Sequence, residues 1–134
     1  MIDEKVCGAV IYTTVNNEKL FLIIKNESGH IGFPKGHVEE DETELETAQR
    51  EIFEETALTP NIDTSFREEY TYIFNDNNKN AVYFIAEFDN TEIKIQESEI
   101  FDHWLVPYDK AYELLNFKED RAILENAKRY LDAK

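Results

Sequence analysis

A chain of 134 residues fits one domain, and with 42% hydrophobic and 13% aromatic residues it can pack a core without disulfides; its single cysteine, Cys7, excludes an internal one. The formal net charge of −15, from 29 acidic and 14 basic residues, argues against long nucleic acid as a partner, because such binding leans on phosphate neutralisation by Lys and Arg. A small anionic ligand stays compatible if a bound cation supplies local positive charge. The opening residues have no basic region followed by an apolar run, and no stretch approaches the ~20 apolar residues of a membrane helix. The expectation is a cytoplasmic protein with no membrane partner; the oligomeric state is not legible.

In chain order, Val6 to Val15 is apolar and β-branched and reads as a buried strand. Asn16-Asn17 is a turn signal, and Lys19 to Ile24 returns as its hairpin partner. Ser28 to Gly36 holds three of the four glycines and one proline and reads as loop. Leu45, Ala48, Ile52 and Thr56 recur at helical spacing, which predicts a helix from Thr43 to Ala57, with Thr43 and Glu46 as an N-cap pair and Pro60 beyond its end. Phe66 to Phe74 and Ala81 to Phe88 read as strands joined by the polar run from Asn75 to Asn80. His103 to Val106 is a further short strand, and Pro107 opens a helix carrying Ala111, Leu114 and Leu115. Ile123, Leu124, Ala127, Tyr130 and Leu131 line one face of a terminal helix. Strands alternating with helices, plus a hairpin, predict an α/β (α+β) sandwich around a mixed sheet, as one domain over residues 1–134.

The central helix carries the chemical signal. At about 100° per residue, Glu44, Glu51, Glu54 and Glu55 fall within an arc of roughly 100°, while Leu45, Ile52 and Thr56 face elsewhere. Glu51 meets Glu54 at i+3 and Glu55 at i+4, and each such like-charge pair costs a helix about 0.2–0.5 kcal/mol. A divalent cation turns that repulsion into coordination, and Mg²⁺ or Mn²⁺ prefers these oxygen donors. A solvated acidic face is the plain alternative, and for an arbitrary helix the commoner one.

The upstream segment changes the balance. It runs Phe33-Pro34-Lys35-Gly36-His37-Val38-Glu39-Glu40, and with the helix it gives Gly36, five residues, Glu42, seven residues, then Arg50-Glu51-Ile52-Phe53-Glu54-Glu55-Thr56-Ala57-Leu58. This resembles the 23-residue loop–helix–loop box of the Nudix hydrolases, with Ala57 where that family usually has glycine. The resemblance implies an αβα sandwich and a divalent ion, Mg²⁺ with Mn²⁺ as a substitute, held by Glu51, Glu54, Glu55 and the Gly36 carbonyl. It implies that Arg50 orients a box glutamate, Glu54 being its i+4 neighbour, that Glu51 or Glu55 serves as general base, and that Glu42 supports the loop. Lys35 beside the metal loop then pairs with a phosphate oxygen, unless it is only a solvated loop lysine.

Weaker features resemble one branch of the family, the hydrolases that split diadenosine tetraphosphate asymmetrically into ATP and AMP. They are Cys7-Gly8-Ala9-Val10, His30 four residues before Pro34, Pro34 to Glu39, Tyr83-Phe84, Trp104 and Asn116-Phe117-Lys118. A Trp commonly stands close before Pro-Lys-Gly in that branch; here Ile31 and Phe33 occupy the stretch. The branch's extra glutamate falls at Ser98, between Glu97 and Glu99, of which Glu99 is the preferred additional ligand. Tyr83 and Phe117 are the candidates to stack on adenine, against ordinary core packing, and His30 and His37 to contact phosphate if protonated. Cys7 and Trp104 read as core. The alternatives are a pyrophosphohydrolase of NTPs or of a triphosphorylated RNA 5′ end, and a nucleotide-binding domain without catalysis, against which the intact Glu51, Glu54 and Glu55 argue.

Overall fold

The computed structural model describes residues 2–89 and 93–134. Among the described residues the strands form one seven-stranded mixed sheet. β1 (Glu4–Val15) and β2 (Glu18–Asn26) make the expected hairpin. Asn16 and Asn17 both take positive φ, 51° and 67°, the geometry whose twist suits a two-residue hairpin loop. Pairing between them covers only Tyr12–Val15 against Phe21–Glu18. Beyond it β2 pairs with β3 (Ile31–Gly32) and β1 with β4 (Lys35–His37), so the two long strands part and the short ones fill the gap. This corrects the expectation that Ser28 to Gly36 is all loop; strands of two and three residues are too short to show alternation.

The other edge of β1 pairs in parallel with β6 (Asn77–Glu87), which pairs antiparallel with β5 (Asn61–Phe74). The polar run expected to join them is mostly strand. Only Asn75 and Asp76, at φ 51° and 64°, make the turn, because Lys79 and Asn80 are held between Glu4 and Lys5 on one side and Tyr72 and Thr71 on the other. β5 also begins five residues earlier than expected, across a register shift between Asp63 and Glu68 that breaks the alternation. β7 (Ile100–Val106) closes the outer edge of β2.

Alternation along β1 and β6 sends side chains to two cores. Cys7, Ala9, Ile11, Val82, Phe84 and Ala86 meet Ala48 and Ile52 of α1 (Glu44–Thr56). Val6, Val10, Ala81, Tyr83 and Ile85 meet α2 (Tyr108–Leu114) and α3 (Lys118–Asp132) through Ala111, Ile123, Leu124 and Ala127. Helices on both faces of a mixed sheet are the αβα sandwich the sequence predicts. Cys7 is fully buried, and Trp104 is half-buried against the α2/α3 core.

Candidate active site

α1 starts on a reciprocal cap: the Thr43 hydroxyl accepts from the Glu46 amide at 3.1 Å, and the Glu46 carboxylate accepts from the Thr43 amide at 2.9 Å. It ends at Ala57 in the left-handed region, φ 63°, whose amide donates to the Phe53 carbonyl. The last carbonyls are taken by the segment before β7: Lys94 N–H donates to Thr56 O at 2.9 Å and Gln96 N–H to Glu55 O at 3.0 Å. That attachment brings Glu99 to the same cavity as Glu51 and Glu55.

Two glycines make room for the acidic helix. A Cβ on Gly8 would lie 2.0 Å from the Pro34 carbonyl oxygen, so β1 can accept the Pro34-Lys35 backbone only with glycine there. A Cβ on Gly36 would lie 2.0 Å from Oε1 of Glu51. The Glu51 carboxylate therefore rests directly on the Gly36 backbone. Its other oxygen, Oε2, accepts from Arg50 at 2.6 Å. Arg50 also donates to both oxygens of Glu42, to Glu54 and to the His37 carbonyl, tying the loop to the helix. Glu42 in turn accepts from the Glu39 amide and the Thr47 hydroxyl, and the Arg50 guanidinium holds its carboxyl at about 2. Glu44 leaves the acidic stripe, paired with Lys5 and Arg67.

Glu55 is 4% exposed. Burial, and then the Glu51 carboxylate beside it, push its pKa up to about 9, against the pull of Lys35. Burial lowers the pKa of Lys35, and the charge of Glu55 opposes that. Among the described residues no three acidic or imidazole side chains stand ready as a ligand cluster; Arg50 holds Glu51 and Glu54, and Glu55 is turned inward. The donor set nevertheless fits a hard cation. It offers carboxylate oxygens and a backbone carbonyl, the Gly36 backbone lies open to Glu51 where any side chain would fill the space, and the Glu54 side chain is 44% exposed.

Lys35, Gly36, Glu51 and Glu55 line one wall of a cavity of about 670 Å³ set in the gap between β1 and β2, whereas Arg50 and Glu54 stand outside its lining. The substrate-binding candidates His30, Lys35 and His37 lie along the same cavity. His37 is exposed at the rim, its Nε2 3.0 Å from Glu4 and 3.3 Å from Lys79. Phe117 lines the cavity with its ring stacked on His30, centroids 4.1 Å apart and planes at 18°. Glu99 is exposed at its edge, and Glu97 is exposed as well.

Tyr83 does not join them. It is fully buried, edge-on to Phe33 at 5.3 Å, on the α2/α3 side of a central strand, so it offers no face to a ligand. Tyr72 of β5 lines the same cavity edge-on to Phe117, with centroids 6.5 Å apart and planes at 69°. The sequence reading missed Tyr72, Lys79 and the buried Asp120. Strand alternation was the signal that could have found Tyr72, since it puts Tyr70 and Tyr72 on one face of β5.

Comparison with known proteins agrees with this architecture. The Nudix domain profile matches residues 6–127, and the chain belongs to the Nudix family as a Nudix hydrolase. The asymmetrical bis(5′-nucleosyl)-tetraphosphatase of Mus musculus is 32% identical, with 95% of each chain covered, and that of Sus scrofa is 31% identical over the same share. Among solved structures, a Caenorhabditis elegans Ap4A hydrolase in a binary complex superposes with a TM-score of 0.92 at 24% identity, covering 98% of this chain and 99% of that one. The Nudix domain of Shewanella oneidensis NrtR bound to ADP-ribose gives 0.80 at 20% identity, over 95% and 87%.

Proposed function

We propose that this chain hydrolyses dinucleoside polyphosphates with a divalent metal, splitting diadenosine tetraphosphate asymmetrically into ATP and AMP. The observation that carries the reading is one cavity lined both by the Gly36, Glu51 and Glu55 pole with Lys35 and by the Tyr72–Phe117 aromatic pair. A polyphosphate needs cationic charge, and a purine needs flat apolar faces, with base–aromatic stacking worth about 1–3 kcal/mol per base. The names of the relatives at 31–32% identity support the same substrate class.

Glu51, Glu54, Glu55 and the Gly36 carbonyl are the residues to hold Mg²⁺, or Mn²⁺ in its place, with Glu99 as an added acid. The bound ion neutralises polyphosphate charge and makes water more acidic. Arg50 keeps one oxygen of Glu51 fixed, so the other stays on the Gly36 backbone. Glu51 or Glu55 takes the proton from the attacking water as its oxygen bonds to phosphorus and the bridging P–O bond breaks. Lys35 supplies a cation beside these carboxylates, whereas the imidazoles of His30 and His37 already meet Asp120 and Glu4.

A substrate panel with Mg²⁺, resolved by chromatography, tests the reading. Equal amounts of ATP and AMP from diadenosine tetraphosphate are expected. Faster turnover of NTPs or of triphosphorylated RNA replaces it with pyrophosphohydrolysis, and binding without turnover across the panel makes the chain a nucleotide binder.

A further inference from the structure

Behind the cavity wall lies a carboxylate that the acidic pole does not use. Asp120, in the first turn of α3, is fully buried. Its Oδ1 accepts from the Tyr70 hydroxyl at 2.8 Å, and its Oδ2 lies 2.8 Å from Nε2 of His30. A carboxylate accepts and does not donate, so the ring hydrogen in this contact sits on Nε2. Burial and the charge of Asp120 both raise the Tyr70 pKa, so the phenol keeps its proton and stays a donor. Gly32 clears the space: a Cβ there would stand 2.9 Å from His30 Nε2 and 3.0 Å from Asp120 Oδ2.

Each partner of Asp120 touches one ring of the edge-on Tyr72–Phe117 pair. His30 stacks on Phe117 at 4.1 Å. Tyr70 lies 5.6 Å, ring to ring, from Tyr72. One carboxylate thus ties together the loop before β3, strand β5 and helix α3. Asn116 adds a second tie between that loop and the start of α3, accepting from the Ile31 amide at 3.1 Å and donating to the Gly29 carbonyl at 3.1 Å, but it does not reach β5.

We propose that Asp120 is a positioning residue for the nucleobase slot, holding Phe117 through His30 and Tyr72 through Tyr70 so that both rings are set before the base arrives. This rests on the dinucleoside polyphosphate reading above. Holding the walls in place removes an ordering cost from binding rather than from the bond-breaking step. Loss of the tie therefore raises KM and leaves kcat.

Asp120→Asn keeps the shape but pairs an amide N–H donor against one of the two donors. We expect at least a fivefold rise in KM for diadenosine tetraphosphate, kcat within twofold, and a matching loss of AMP affinity by calorimetry. We also expect the His30 ring ¹⁵N pattern to lose its Nε2–H form. Tyr70→Phe, which cuts one arm, should raise KM less and leave that pattern intact. If Asp120→Asn does not fold, Gly32→Ala, which wedges His30 from Asp120 without altering either, decides on the same readouts. An AMP affinity within twofold of wild type in a folded variant overturns the proposal, as does a fall in kcat at constant KM. If the wild type binds AMP yet splits no dinucleoside polyphosphate, the functional reading fails alone, and AMP affinity with the His30 pattern still judges Asp120. A wild type that does not bind AMP overturns both.

Discussion

At the scale of the residue, Glu55 is a carboxyl whose burial beside Glu51 works against its charge. With a pKa near 9 it keeps its proton at neutral pH, whereas in the unfolded chain it ionises near 4.5. The folded, metal-free chain therefore binds more protons than the unfolded one across that window. Glu55's contribution to stability is fully present below about 4.5 and is lost as pH rises through about 9. Glu55→Gln should flatten that loss in EDTA, read as melting temperature against pH, because the amide stays neutral throughout. The same variant should lower kcat by at least ~100-fold in Mg²⁺ while keeping the fold, since it removes a carboxylate proposed to hold the ion; near-normal turnover in a folded protein would remove Glu55 from the metal assignment. Gly36 gives a second check. A Cβ would sit 2.0 Å from the Glu51 carboxylate, so Gly36→Ala should displace that group, cost about 1–3 kcal/mol in denaturant titration and depress activity by more than the lost stability explains.

At the scale of the element, the loop–helix–loop is held by contacts that are mostly local in sequence. Thr43 caps the start with Glu46, and Arg50 reaches back to Glu42. The exit is the exception, because Ala57 takes φ 63° where glycine costs least. Ala57→Gly should therefore stabilise the protein by about 1 kcal/mol, seen as a higher urea midpoint at unchanged slope. No gain would mean that the Thr56 and Glu55 carbonyl contacts to Lys94 and Gln96 already fix the turn. The hairpin turns were unequally readable. Asn16-Asn17 stands between apolar runs, but Asn75-Asp76 is followed by polar residues that strand pairing on both sides of β6 makes structural.

At the scale of the whole molecule, the −15 charge and the buried Glu55 make the proposed metal binding testable through stability. An ion that binds the folded chain alone stabilises it by RT ln(1 + [L]/Kd), about 2.7 kcal/mol at a hundredfold excess over Kd. If the ion binds Glu55 as proposed, it displaces that proton, and the melting shift caused by Mg²⁺ over EDTA should be larger at pH 8 than at pH 6. A shift independent of pH would mean that the ion leaves Glu55 protonated.

What the sequence by itself determined is what lies close along the chain. The spacing from Gly36 to Leu58 sets the acidic helix, its cap, Arg50's reach and the glycine on which Glu51 rests. Alternating apolar strands set the layered mixed sheet. What only the tertiary structure decided is which residues meet across the gap where β1 and β2 part. It put Tyr72 rather than Tyr83 in the cavity wall and joined His30 to Asp120 ninety residues away. Local backbone preference repeats over a few residues and leaves a periodic trace. Contacts between distant segments follow from how the sheet splays and how α3 packs on it, and no spacing along the chain records them.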